Sequence, residues 1–300
     1  MEKLITLTVP CYNEEAVLHQ TYEALTSIME RMKGYAYQIC FVNDGSKDST
    51  EEILNQLAEN DEHVKAVHFS RNYGKEAANT ACLEYADGDY VIILDADLQD
   101  PPELIPQIVE LLEQGYDTVG TYRKNRNGEP KIRSFFAKKY YETMNSVLGT
   151  KLLINERDYR GMNRRFLDCL RSLPEVQRYN KALWNMIGFK STSIGFENQK
   201  RVAGESKYSL FKLFKLAFAH IFNSSTKPLL LSYILSAVVL AIGLFVCVSD
   251  LKIGWMTLLF SIVLFSISLV GTYIGRIFIE VKRRPTYTCR EIRTSREEWR

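Results

Sequence analysis

From Leu4 onward, short apolar runs recur along the first half of the chain, separated by longer stretches with helical spacing of apolar and polar residues. LITLTV (Leu4 to Val9), YQICFV (Tyr37 to Val42), VKAVHF (Val64 to Phe69), YVIIL (Tyr90 to Leu94) and DTVGT (Asp117 to Thr121) predict strands. Glu14 to Met32 and Ser49 to Asn60 predict helices, the second opening on the capping box Ser49-x-x-Glu52. The runs are continuously apolar, the pattern of strands covered on both faces by helices. Strand and helix in alternation predict a mainly parallel α/β sheet that binds ligands at the carboxyl ends of its strands.

The second half changes character. Leu229 to Ser249 is 21 residues without a charge, and Gly254 to Gly275 is 22 more. About 20 apolar helical residues cross a bilayer core, so each run is long enough to span. Only Asp250 to Ile253 separates them, which predicts an antiparallel transmembrane hairpin; two buried core helices are the alternative. Lys227 precedes the first run, and Arg276, Lys282, Arg283 and Arg284 follow the second. The positive-inside rule then places both termini and residues 1–226 in the cytoplasm of a multi-pass membrane protein. Tyr208 to Phe222 (YSLFKLFKLAFAHIF) reads as an amphipathic helix, lying on the membrane interface or on the soluble core. The expected organisation is an α/β domain over 1–207, a juxtamembrane helix over 208–226, two spans within 227–279 and a basic tail over 280–300. From Arg276 the tail holds eight Lys/Arg and four Glu, a charge that anionic headgroups attract and that a solvated tail would share. Residues 1–9 carry two charges and then start a strand, so no cleavable signal peptide is expected.

Lys and Arg number 38 against 36 Asp and Glu, and the net charge of +2 argues against a nucleic-acid partner. Six scattered cysteines without a CxxC pair exclude a disulfide framework and a zinc site, and Cys11 reads as a buried small hydrophobe. The first strand-to-helix turn, Pro10-Cys11-Tyr12-Asn13-Glu14-Glu15, has no glycine, which excludes a GxGxxG dinucleotide site; GxxxxGK[ST] is also absent. The strongest chemical signal follows the fourth strand, Asp95-Ala96-Asp97-Leu98-Gln99-Asp100-Pro101-Pro102. Two carboxylates and an amide oxygen at a strand terminus suit Mg²⁺ or Mn²⁺, which takes its other ligands from phosphate and water. Capping of the next helix is the bland alternative.

These segments resemble a known family. VPCYNEE (Val9 to Glu15), NDGSKDST (Asn43 to Thr50), SRNYGKEAA (Ser70 to Ala78) and DADLQDPPE (Asp95 to Glu103) resemble family 2 glycosyltransferases of the GT-A fold. GYDTVGTYR (Gly115 to Arg123), RDYRGMNRR (Arg157 to Arg165), RVAGESKY (Arg201 to Tyr208) and the terminal hairpin resemble the polyprenyl-phosphate glycosyltransferases. That group includes dolichyl-phosphate mannose synthase and the bactoprenol glucosyltransferases. Asn43 departs from the usual DDGS, and Arg157 stands where Gly is common.

The resemblance implies an inverting transfer of one sugar from a nucleotide sugar, with a UDP-hexose favoured, to polyprenyl phosphate. Pro10, Tyr12 and Glu14 would border the nucleoside, and Asp44 and Lys75 would contact base or ribose. Asp95 and Ala96 would face the nucleotide sugar, and Asp97 and Gln99 would reach the divalent metal. Arg201, Ser206 and Lys207 would take the lipid phosphate, with Arg123, Lys131 and Arg133 as further candidates. Asp158 stands at the position of a catalytic base. Because a phosphate acceptor is already ionised, Asp158 is expected instead to orient Arg160 or Arg201. Bland readings stand beside these: core packing for Tyr12, a turn for Asp44 and a solvated helix start for Lys75. A processive polysaccharide synthase would carry QxxRW, which Gln177-Arg178-Tyr179 does not match; a non-catalytic scaffold for a flippase is the rival of another class. A second copy of the chain, a flippase and a downstream transferase are the partners left open.

Overall fold

The computed structural model describes residues 2–124, 156–176, 178, 180–197, 238 and 252–299. The juxtamembrane segment 208–226 and the first apolar run, apart from Val238, lie outside them.

Eight strands form one sheet in the order β7-β5-β6-β4-β1-β2-β3-β8. They are β1 (Lys3–Cys11), β2 (Tyr35–Asn43), β3 (Val64–Phe69), β4 (Tyr90–Ile93), β5 (Thr118–Arg123), β6 (Glu156–Asn163), β7 (Ser191–Phe196) and β8 (Cys289–Arg293). The β1–β2, β2–β3, β1–β4 and β5–β7 pairs are parallel, while β4–β6, β5–β6 and β3–β8 are antiparallel. The sheet is thus the expected α/β one, with antiparallel pairing wherever β6 or β8 takes part.

Helices cover both faces. Within β2, Ile39 and Phe41 point to one core and Cys40 and Val42 to the other. The first core packs α1 (Leu18–Met29), α2 (Thr50–Asn60) and α4 (Ile105–Glu113) through Leu18, Leu25, Leu54 and Ile108. The second packs α3 (Lys75–Glu84), α5 (Arg164–Ser172) and α6 (Asn180–Met186) through Ala78, Ala81, Phe166 and Trp184. The apolar strand residues are divided between the two cores, which is why the runs read as continuous rather than alternating.

Two local expectations change. Helix α1 begins at Leu18, not Glu14; the residues before it form a turn in which the Glu14 carbonyl accepts from Val17 N at 3.0 Å and Leu18 N at 3.2 Å, while Thr50 Oγ1 accepts from Glu14 N at 2.9 Å and Asp48 Oδ2 from Glu15 N at 3.3 Å. The Ser49 capping box does not form. The Ser49 side chain makes no cap bond, while Asp48 Oδ1 takes the Thr50 N–H at 3.1 Å and Glu15 Oε2 takes the Ser49 N–H at 2.9 Å.

The last helix, α7, runs from Lys252–Lys282 over 31 residues. Several side chains between Lys252 and Leu264 lie outside the described residues. Among the residues described in full, no helix is long and apolar enough to cross a membrane.

After α7 the chain returns to the sheet. The segment read from the sequence as a basic tail supplies β8, with Val67 opposite Ile292 and Phe69 opposite Cys289. Tyr287 stacks on Phe69 with ring centroids 4.5 Å apart, its hydroxyl donates to Glu84, and Arg290 pairs with Glu51. Charged Arg290, Glu291 and Arg293 then form the outer edge, a usual guard against edge-to-edge pairing. Removing residues 285–300 is expected to uncover the β3 edge and the ring of Phe69. Tyr287→Ala alone should cost about 2–4 kcal/mol through lost packing and stacking, read as a lower denaturant midpoint of the full chain. An unchanged midpoint would show that the stacking of Tyr287 on Phe69 contributes nothing to the domain's stability.

Candidate active site

The sheet order reverses at β1, which has β2 on one side and β4 on the other. Ligands of open α/β sheets occupy the crevice outside such a reversal, at the carboxyl ends of the strands. The loops after β1, β2, β3 and β4 meet there and bond to one another. Asn13 N donates to Ser46 Oγ at 3.0 Å, and Lys47 N donates to Asn13 Oδ1 at 2.8 Å.

The loops after β2 and β3 are joined more tightly still. Asp44 is 3% exposed, and its two oxygens accept the Tyr73 N–H at 2.6 Å and the Gly74 N–H at 2.9 Å. Burial raises the Asp44 carboxyl above its ordinary value, and the two backbone donors partly offset that. Gly45 has φ +59°, and a Cβ there would lie 2.3 Å from the Arg71 carbonyl carbon, so the loops approach backbone to backbone. Asn43 is buried beneath this turn, its amide bonded to His68 Nδ1 at 3.1 Å and its oxygen accepting from Ser46 N at 2.9 Å.

Strand register brings the candidate catalytic residues together. Ile93 stands opposite Arg160 in the antiparallel β4–β6 pair, so two steps along β4 and two steps back on β6 bring Asp95 to Asp158. The Lys75 ammonium lies between them, 2.7 and 2.9 Å from the Asp95 oxygens and 2.8 Å from Asp158 Oδ2. Lys181, on α6, approaches the other Asp158 oxygen at 3.3 Å and donates to the Glu156 carbonyl at 2.9 Å. On the far side, Arg157 contacts Asp95 at 3.4 Å and grips buried Asp100 through bonds of 2.8 and 3.3 Å. Burial acts to raise the Asp158 pKa, but Lys181 and Lys75 outweigh it and hold this carboxyl far below the ordinary range. For Asp95, Lys75 and then Arg157 likewise overcome burial, and its pKa is lowered.

The metal candidates sit on the turn beyond. Asp97 Oδ1 accepts from Gln99 N at 3.1 Å, Leu98 between them has φ +52°, and Gln99 Oε1 accepts from Arg123 Nη2 at 2.8 Å. Among the described residues, no group of three or more His, Cys, Asp or Glu could hold a metal alone. Two hard oxygens on one turn instead suit Mg²⁺ or Mn²⁺ carried in with a diphosphate, which supplies the remaining ligands.

The other sequence candidates fall as follows. Pro10, at the end of β1, and Tyr12 and Glu14, in the loop that follows, are half-buried. Ala96 is 3% exposed and packs in the first core, its carbonyl accepting from Thr21 Oγ1 at 2.7 Å, so its side chain faces away from the crevice. Lys131, Arg133, Arg201, Ser206 and Lys207 lie outside the described residues. Arg160 is not oriented by Asp158. It is buried against Glu156, donates to Thr118 Oγ1 at 3.0 Å and lies 4.9 Å from the Trp184 ring. Arg157, Asp100, Glu76 and Lys181 escape a reading of the sequence as site residues, since only the strand register and the position of α6 reveal their partners. Cys11 is buried with its thiol pKa pushed up, as a small core hydrophobe.

Residues 6–171 match the family model described as Glycosyl transferase family 2. The chain belongs to glycosyl transferase family 2. It is 38% identical over 300 residues to the uncharacterized glycosyltransferase YkcC of Bacillus subtilis (strain 168), covering 94% of this chain and 92% of that protein. It is 37% identical over 309 residues to the SfII prophage-derived bactoprenol glucosyl transferase of Shigella flexneri, covering 96% and 97%. Among solved structures it resembles glucosyl-3-phosphoglycerate synthase from Mycobacterium tuberculosis, in complex with Mn²⁺, UDP and phosphoglyceric acid. The TM-score is 0.54 at 18% identity, covering 74% of this chain and 77% of that one. The protein is a glycosyltransferase with a GT-A-like fold.

Glu76 follows Lys75 on α3 and accepts from Asn180 N at 3.3 Å and Nδ2 at 2.9 Å, tying α3 to α6. Burial, then the nearby Asp158 charge, push its pKa up to about 7. A carboxyl raised on folding contributes stability that is complete below its unfolded pKa and is lost as pH rises through the folded value. Between about pH 4.5 and 7 the protein should therefore lose up to about 3 kcal/mol, and Glu76→Gln should flatten that slope. Denaturant unfolding at several pH values measures it, and an equal slope in both proteins would assign the loss to other groups.

Proposed function

We propose that this glycosyltransferase moves one sugar from a UDP-hexose, such as UDP-glucose or UDP-GlcNAc, to a polyprenyl phosphate at the cytoplasmic face of a membrane. The observation that carries the reading is the clamped state of Asp158. A general base works best with a pKa near the operating pH, and a carboxylate held ionised by Lys75 and Lys181 is a poor proton acceptor. A sugar hydroxyl would need such a base. A phosphate monoester, with a second pKa of about 6, arrives at neutral pH with little proton left to remove.

In the reaction, an acceptor phosphate oxygen forms the bond to the anomeric carbon as the bond to the nucleoside diphosphate breaks, and the diphosphate oxygen keeps the electron pair. A single displacement of this kind inverts the anomeric centre. Asp97 and Gln99 would hold Mg²⁺ or Mn²⁺, which when bound neutralises charge on the leaving diphosphate. Asp95 would face the sugar, with its position fixed by Lys75 and Arg157.

Two further facts support a lipid acceptor. The Shigella bactoprenol glucosyl transferase aligns with 96% of this chain, including the region of the apolar runs. On α7, Met256, Val263, Ile267, Ile274 and Ile277 are between 52% and 71% exposed, an apolar surface that water disfavours and acyl chains accept. Together with the uncharged run Leu229 to Ser249 it would supply the hairpin that anchors the enzyme with both termini cytoplasmic.

Membranes carrying the full chain, given short-chain polyprenyl phosphate and radiolabelled UDP-glucose, UDP-GlcNAc, UDP-galactose or a GDP-sugar, should put label into lipid from one UDP-sugar. No lipid product from any donor would sink the reading. Asp97→Asn should lower turnover by about 100-fold, and EDTA should abolish wild-type activity until Mg²⁺ or Mn²⁺ is restored. Full activity in chelator would remove the metal from the mechanism. The acidic limb of kcat/KM should move when a phosphonate acceptor of different pKa is used; a limb that stays put and vanishes in Asp158→Asn would make Asp158 a true base.

A further inference from the structure

The first two residues of α3 reach opposite oxygens of one carboxylate by different routes. Lys75 meets Asp158 Oδ2 directly, at 2.8 Å. Glu76 takes a longer way. Its Oε2 accepts from Asn180 N at 3.3 Å and from Asn180 Nδ2 at 2.9 Å, and Asn180 is the first residue of α6. The next residue is Lys181, whose ammonium lies 3.3 Å from Asp158 Oδ1 and donates to the Glu156 carbonyl at 2.9 Å.

Helix α6 has seven residues, and a helix that short does not hold its own place in water. Trp184, one turn along it, lies against the Arg160 guanidinium at 4.9 Å, while the end that carries Lys181 is tied down by Glu76. Asn180 is 2% exposed, and among the described residues its Oδ1 has no hydrogen-bond partner. A buried amide with an unmet oxygen is destabilising, and an apolar side chain of the same size would avoid that cost. What the asparagine adds in return is its Nδ2 bond to Glu76.

We propose that Glu76 is a positioning residue for the transfer: through Asn180 it sets Lys181 against Asp158, so that the first turn of α3 governs both oxygens of this carboxylate. The kinetic part rests on the transfer reading above; the structural part does not.

The first arm needs no sugar donor. Full-length protein in detergent is treated with an N-hydroxysuccinimide acetate, and lysine acetylation is followed by mass spectrometry. Glu76→Ala should raise the Lys181 rate several-fold and leave alone that of Lys47, which lies exposed in the loop after β2. Glu76→Gln keeps an oxygen for the Asn180 donors and should leave the Lys181 rate as in wild type. Should Glu76→Ala raise the Lys47 rate as well, its fold is impaired and the milder Asn180→Ala, which drops one bond of the two, takes its place. A Lys181 rate equal to that of wild type in the variant that stays folded would overturn the link, whatever reaction the enzyme catalyses.

The second arm measures UDP binding with Mn²⁺ and transfer to short-chain polyprenyl phosphate. Glu76→Ala should lower kcat by about 10- to 100-fold, the upper figure being the cost of misplacing reacting groups by about an ångström, with the UDP Kd unchanged. Glu76→Gln should recover most of that loss. Lys181→Met should lower kcat at least as far, and Glu76→Ala should add almost nothing beside it, because residues acting as one unit are not additive. Glu76→Ala that keeps its full effect in the Lys181→Met background would overturn the proposal, since Glu76 then acts only through packing. So would a wild-type kcat in Glu76→Ala, or a loss of UDP affinity there that accounts for the lost turnover. Wild-type protein that transfers no sugar from any donor would instead refute the transfer reading and leave the acetylation arm to decide.

Discussion

Asp95 and Asp158 are brought to the same point by the β4–β6 register, and like charges at such range cannot be left to themselves. Two unit charges about 4 Å apart repel by about 1 kcal/mol in water and about 4 kcal/mol at the effective dielectric of a protein surface. The site answers with alternation. Lys181, Asp158, Lys75, Asp95, Arg157 and Asp100 follow one another as cation and anion, each within 3.4 Å of the next. The members come from α6, β6, α3 and the loop after β4, so this one ladder of charge ties both flanks of the crevice together. Breaking a buried pair by removing one member costs about 3–5 kcal/mol, because the other charge is left uncompensated.

Arg157 gains meaning from this ladder. At a position where the resemblance leads one to expect glycine, its guanidinium reaches both ends of the acidic turn, Asp95 and Asp100. The turn is therefore anchored to the strand that carries Asp158. Tyr159, the other neighbour of Asp158, also bonds this turn, through the Pro101 carbonyl at 3.3 Å. The acidic turn and the strand that carries Asp158 share an anchor and cannot drift independently.

The parts of this arrangement that could be read from the sequence are those whose cause is local. β1 to β4 announce themselves because their apolar residues are divided between the two cores, and the acidic turn is visible because Asp95, Asp97 and Gln99 lie within five consecutive residues. β6 hides because Glu156, Arg157, Asp158 and Arg160 make it look like a polar loop, although each charge has a partner in the folded state. β8 hides for a related reason: an edge strand needs few apolar residues, and Cys289 to Arg293 reads like any basic tail. Motif alone puts Ala96 and Asp44 at the ligand without showing that the Ala96 side chain packs in the first core or that Asp44 also accepts from two backbone amides. A motif names the positions that matter without saying which way each side chain turns.

The closing of the sheet by β8 has a consequence in time. Phe69 and Cys289 are paired in the final strand ladder, yet about 220 residues of chain lie between them. At a synthesis rate of about 5–20 residues per second, β3 emerges from the ribosome about 10–40 s before its partner strand exists. Throughout that interval the nascent sheet presents an unpaired edge, an open template for another strand, while the apolar runs are still being made. The interval ends only when Cys289 to Arg293 have been made and pair with β3, so the timing of β8 sets how long that edge stays open.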